Sequence, residues 1–138
     1  MSTEKPKGRI KRALLNVVKD DKGKVVSFDI DRRYWSRGAG GSSLLNDEGE
    51  MCCLGFYSLA CGVKFDSIDY VSYPHGIRGK RPRQMDWLFA LSPFKNDRNE
   101  SEYALANLND KEDVRNSDRE RKIKRRFARA GVTVNFVN

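Results

Sequence analysis

Apolar and polar positions alternate most clearly from Val25 to Ile30, where Val26, Phe28 and Ile30 are separated by Ser27 and Asp29. A period of two predicts a half-buried strand. Upstream, Ile10, Ala13–Leu15 and Val17–Val18 read as a partner strand. Asp20-Asp21-Lys22-Gly23 between the two is a turn signal in which glycine supplies a positive φ. Residues 9–31 are therefore predicted to form a β-hairpin. Periodicity then lapses over 32–43, RRYWSRGAGGSS, which reads as a long loop. Leu44-Leu45 reads as a short strand and Asn46-Asp47-Glu48-Gly49 as a turn. From Met51 to Ala60 the chain is apolar on nearly every side, and Gly62 stands where a helix would stop. That run is long for a strand, so residues 50–61 are predicted as a buried helix, with Gly55 leaving room for a close neighbour.

Further on, Pro74, Gly76, Gly79 and Pro82 break up an irregular stretch over 63–83. Pro82 is placed to open a short helix holding Met85, Trp87, Leu88 and Phe89. Residues 92–100 read as a polar loop, and Tyr103–Leu108 as a short strand. Ser117-Asp118-Arg119-Glu120 has the capping-box pattern. Ile123, Phe127 and Ala130 then recur at helical spacing, with Gly131 as the stop. Val132, Val134 and Phe136 alternate with Thr133 and Asn135 in a closing strand. The fold expected is α+β: a small antiparallel or mixed sheet, built from the N-terminal hairpin plus the C-terminal strand, with two to three helices packed on it. Residues 1–8 are expected as a flexible basic N-terminus and residues 9–138 as one α+β domain.

Charge refines this picture. The 138 residues carry a net charge of +8, and its placement is uneven. Residues 1–24 hold eight basic and three acidic groups, and residues 111–129 hold nine and four. The rest is close to neutral except for one dense loop, Arg78, Lys80, Arg81 and Arg83. Such a field attracts phosphates, although solubility alone also accounts for it. No window approaches the roughly 18 apolar residues of a membrane span. The start, MSTEKPKGRIKR, lacks the apolar stretch of a signal peptide. Three cysteines, two of them adjacent at Cys52 and Cys53, make a poor disulfide framework. Together these point to the cytoplasm.

Candidate chemistry is thin on the catalytic side. His75 is the single histidine. A thiol enzyme would need Cys52, Cys53 or Cys61 exposed beside it, in a run that reads as buried. Zinc would need a fourth ligand and a more usual spacing. Asp29, Asp31, Asp47, Glu48, Asp110, Glu112 and Asp113 include no motif that makes them converge on a metal. Gly38-x-Gly40-Gly41 lacks the Lys and Ser/Thr of a phosphate-binding P-loop. No enzyme activity, cofactor or metal is expected.

Binding has better candidates. Tyr34 and Trp35 offer aromatic faces, Arg37 a phosphate-pairing fork, Gly38 exposed backbone, and Ser42 and Ser43 hydroxyl donors. Against this, Trp35 packing on the core and Arg37 capping a carbonyl would explain the same residues. Arg78, Lys80, Arg81 and Arg83 form a second cationic candidate, or else a solvated loop. Arg121, Lys122, Lys124, Arg125, Arg126 and Arg129 spread around the C-terminal helix, compatible with phosphate contact.

Trp35-x-Arg37-Gly38, Leu44-Leu45, Met51-Cys52-Cys53-Leu54-Gly55-Phe56 and Ala60-Cys61-Gly62 resemble a family of small uncharacterised accessory proteins of tailed bacteriophages and prophages. Asn109-Asp110, Arg119-Glu120, Ile123, Phe127 and Gly131-Val132-x-Val134-x-Phe136-Val137 continue the likeness, which covers roughly residues 25–137. The resemblance implies a protein working in the host bacterial cytoplasm, of the kind that counters host immunity. The function expected is therefore sequestration, without catalysis, of an anionic nucleotide-type ligand such as an immune signalling molecule. Alternatives are nucleic-acid binding and direct inhibition of a host defence protein. A homo-oligomer would suit sequestration, since pockets of this kind often form between subunits.

Overall fold

The computed structural model describes residues 15–38, 43–89 and 101–138. Strand β1 (Val17–Lys19) pairs antiparallel with strand β2 (Val25–Asp31), setting Val17 opposite Phe28. Their turn is made as the sequence suggests. Asp20 Oδ1 accepts from the backbone N–H groups of Lys22 and Lys24, and Gly23 takes φ +81°. The expected beginning of this hairpin, residues 9–14, lies outside the described residues. Strand β3 (Thr133–Val137) runs parallel to β2, with Val134 opposite Phe28. Among the described residues the sheet is mixed, with β2 at its centre.

Val25, Phe28, Ile30 and Val134 are buried in the core. Other positions of the sheet carry a polar ladder, in which Asn135 Nδ2 donates to Ser27 Oγ and Asp29 Oδ1, and Asn16 Nδ2 to Asp29 Oδ2. Helix α1 (Cys53–Ala60) is buried along nearly its whole length, as its unbroken apolar run requires. Gly55 is needed there because a Cβ would fall on the Leu44 carbonyl oxygen. The helix stops at Gly62, φ +97°, whose N–H reaches the Leu59 carbonyl at 3.0 Å. Helix α2 (Phe65–Ile68) is a single turn. Helices α3 (Ser101–Asp110) and α4 (Asn116–Ala128) fold back on one another across residues 111–115. Phe28, Tyr57 and Phe127 meet at the centre, with Phe28 5.3 Å and Tyr57 5.1 Å from Phe127 between ring centroids. Trp87 closes the cluster and donates from Nε1 to the Tyr57 hydroxyl at 2.9 Å.

The α+β class and the helices on a small mixed sheet are as expected, and three local expectations are corrected. Tyr103–Leu108 is helical, within α3, because its buried positions Glu102, Leu105, Ala106 and Asn109 follow a helical period. Two of those four are polar, which hid the stripe. Helix α4 begins at Asn116, so Ser117 sits in its first turn rather than at a capping-box position, and no side chain caps it. The short helix expected after Pro82 is present as a 3₁₀ helix, Arg83–Leu88, with Pro82 just before it and Phe89 just after. Leu45 forms one isolated bridge to Asp69 instead of a strand. The expected polar loop at 92–100 lies outside the described residues.

Candidate functional site

The segment after β2 turns at once into a 3₁₀ helix, Arg32–Tyr34, because the Asp31 carboxylate accepts the Arg33 N–H. This carries Trp35 inward, where it is 2% exposed and donates from Nε1 to Asn109 Oδ1 at 2.7 Å. Its ring packs on Phe136. Arg37 lies over that ring, its guanidinium carbon 4.5 Å from the centroid, and donates to the carbonyls of Arg32 and Trp35. Burial holds the Arg37 guanidinium below its usual range; Arg119 and Arg32 add to the shift, while Glu120 and Glu50 oppose it. Tyr34 is half-buried beneath the Arg33 guanidinium. Gly38, at φ +68°, donates to the Asn109 carbonyl. Ser43 is half-buried, and Ser42 lies outside the described residues. Trp35 and Arg37 are thus turned onto the protein and hold the loop to the end of α3.

Asn109 is the hub of that attachment. Its Oδ1 also accepts the Cys53 N–H and so serves as the missing cap of α1, and its Nδ2 donates to the Ser36 carbonyl. Its carbonyl accepts from Arg119 Nη1, a guanidinium that also reaches the carbonyls of Leu108 and Val114. Carbonyls at a helix C-terminus carry partial negative charge, which stabilises a buried cation. Glu120 meanwhile binds Arg32 in a two-pronged pair at 2.8 and 2.7 Å. Trp35, Arg37, Gly38, Cys53, Asn109, Arg119 and Glu120, scattered in the sequence, therefore belong to one connected network.

The second expected cluster stays in solvent. Arg78, Lys80, Arg81 and Arg83 are exposed. Arg81 packs 4.2 Å from the Phe89 ring centroid and donates to the Pro74 carbonyl. Arg78 borders a polar cavity of about 610 Å³ together with Asp66, Asp69 and His75. The His75 ring is held by Glu102, whose carboxylate accepts from the His75 backbone N–H and contacts Nδ1 at 3.0 Å. None of the described hydrogen bonds or ring contacts brings this loop to Arg37 or Gly38.

Burial pushes the Cys52 and Cys61 thiols up to about 12 and raises Cys53 as well, so all three stay protonated near neutrality. Among the described residues no three His, Cys, Asp or Glu side chains are grouped to hold a metal.

The α3–α4 hairpin, by contrast, forms an open groove of about 440 Å³. Helix α4 turns Ile123 and Phe127 to the core. The neighbouring face then presents Lys122, Arg125, Arg126 and Arg129, spaced i, i+3, i+4, i+7, along the groove. The facing wall comes from Ala104, Asn107 and Leu108, with Lys111 just beyond the end of α3. Among the described residues that line it, five are cations and none is a carboxylate. The cations of α4 are legible in the sequence, but their shared face emerges only against the true α3, which supplies the neutral wall. Comparison with protein-family models, curated proteins and solved structures yields no match. What this groove can bind follows from its own chemistry.

Proposed function

We propose that this protein binds a nucleotide-type phosphate ester in the α3–α4 groove and does not convert it. One observation carries the reading: Lys111, Lys122, Arg125 and Arg129 border the groove, and among the described residues that line it none is a carboxylate. Phosphate oxygens pair with guanidinium forks and ammonium groups through charge-assisted hydrogen bonds. Ala104 and Leu108 offer apolar contact for the neutral part of such a ligand, and the Asn107 amide offers both a donor and an acceptor. The resemblance to phage accessory proteins supplies a context in which tight binding without turnover is the whole activity, namely sequestration of a host signal in the bacterial cytoplasm.

Isothermal calorimetry against a panel of linear and cyclic nucleotides tests this. Binding at micromolar or tighter affinity is expected for at least one of them. It should weaken at least about tenfold in Arg125→Glu, the effect of losing a charge-assisted contact and adding a repulsive one. The ligand should be recovered unchanged from the cell. Binding that survives Arg125→Glu but disappears in a folded Arg37→Ala variant would return the site to the 34–43 loop.

A further inference from the structure

The groove is linear, and its two walls differ. Each helix supplies four positions at i, i+3, i+4, i+7, so the lined stretch runs about 10 Å along the hairpin at about 1.5 Å per residue. Cations occupy all four positions of the α4 wall. The α3 wall is neutral until Lys111. A lone nucleotide concentrates its charge at one end and would reach only part of a stripe that runs from Lys122 to Arg129. A duplex shows two charged backbones on a convex surface, a poor fit to a concave groove with one charged wall. An acidic peptide carries its charge on flexible side chains, without the fixed spacing of a phosphate backbone.

We infer that the groove is a track for one strand of single-stranded nucleic acid, with its phosphates along α4 and its sugars and bases over α3. The proposal rests on the binding reading above and narrows it to a ligand class. A stacked strand rises about 3.4 Å per nucleotide, so a track of this length engages about three phosphates. Among the described residues no aromatic ring lines the groove. Base stacking therefore contributes little, and recognition is electrostatic and indifferent to sequence.

Fluorescence anisotropy with labelled single strands of thymidine and of mixed sequence, a matched duplex, ATP, inorganic tripolyphosphate and polyglutamate tests the inference on the full chain. Both single strands should bind alike and more tightly than the duplex. The log of the affinity should fall with the log of salt with a slope of about −2, from about −0.7 per phosphate on a single strand. Lys122 and Arg125 are exposed, so the double variant K122E/R125E should fold, as checked by circular dichroism. It should lose at least about tenfold in affinity and flatten the slope by roughly 1.4, two contacts' worth. K122Q/R125Q should lose less in the same direction. K22E/K64E, with the same change in net charge at exposed positions elsewhere, should bind as the parent does. Tight ATP or tripolyphosphate binding without strand binding would overturn the strand and leave the groove reading standing. Silence from every phosphate probe would remove both. Preference for duplex, equal binding of polyglutamate, or equal losses in K22E/K64E and K122E/R125E would each overturn the track.

Discussion

Asn109 shows how much one buried amide can organise. Its side chain accepts from Trp35 Nε1 and the Cys53 N–H and donates to the Ser36 carbonyl, joining the loop after β2 to the start of α1 and the end of α3. Replacing it leaves a buried indole N–H, a buried helix N-terminal N–H and a half-buried carbonyl without partners, at about 1–3 kcal/mol for each group left unsatisfied. Asn109→Ala should therefore cost about 3–5 kcal/mol and lower the thermal midpoint by roughly 10–20 °C. A thermal melt showing a shift of only a degree or two would mean that these groups find other partners. The sequence marks Trp35 and Arg37 as unusual but leaves two meanings open. A stacking platform and a buried anchor use the same residue types, and the choice depends on Asn109, far away in the chain. The 2% exposure of Trp35 places it as an anchor.

At the scale of elements, legibility follows the purity of the hydrophobic pattern. Strand β2, helix α1 and strand β3 carry unbroken apolar periodicity and can be read directly. Helix α3 cannot, because Glu102 and Asn109 occupy half of its buried face. Short stretches such as Tyr103–Leu108 then mimic alternation. The groove was hidden by the same ambiguity: its cations lie on an easily read helix, while its neutral wall lies on the misread one. Close packing between elements is sensitive to single atoms. Gly55 lies where a methyl group would strike the Leu44 carbonyl oxygen and crowd Met51 Cβ. Gly55→Ala should destabilise the fold by about 3 kcal/mol, at the upper end of ordinary overpacking, measured by urea denaturation. An unchanged denaturation midpoint would show that α1 and the Leu44 segment separate easily.

For the whole molecule, the net charge of +8 matters less than its sorting. Among the described residues, the exposed 78–83 loop borders a cavity whose lining includes Asp66 and Asp69 as well as Arg78. The described lining of the α3–α4 groove consists of cations and neutral side chains. Helix α4 also places Arg125 and Arg126 in its last turn, where the helix dipole favours positive charge and eases their crowding. Sequence counting locates the excess at residues 111–129. Folding turns part of that excess into a lined groove and sends Ile123 and Phe127 inward. Backbone amide chemical-shift mapping on ¹⁵N-labelled protein titrated with ATP at low salt tests this assignment most directly, since it detects weak as well as tight binding. The account predicts shifts confined to residues 104–111 and 122–129. Shifts centred on residues 34–43 or 78–83, or no shifts at all, would contradict it.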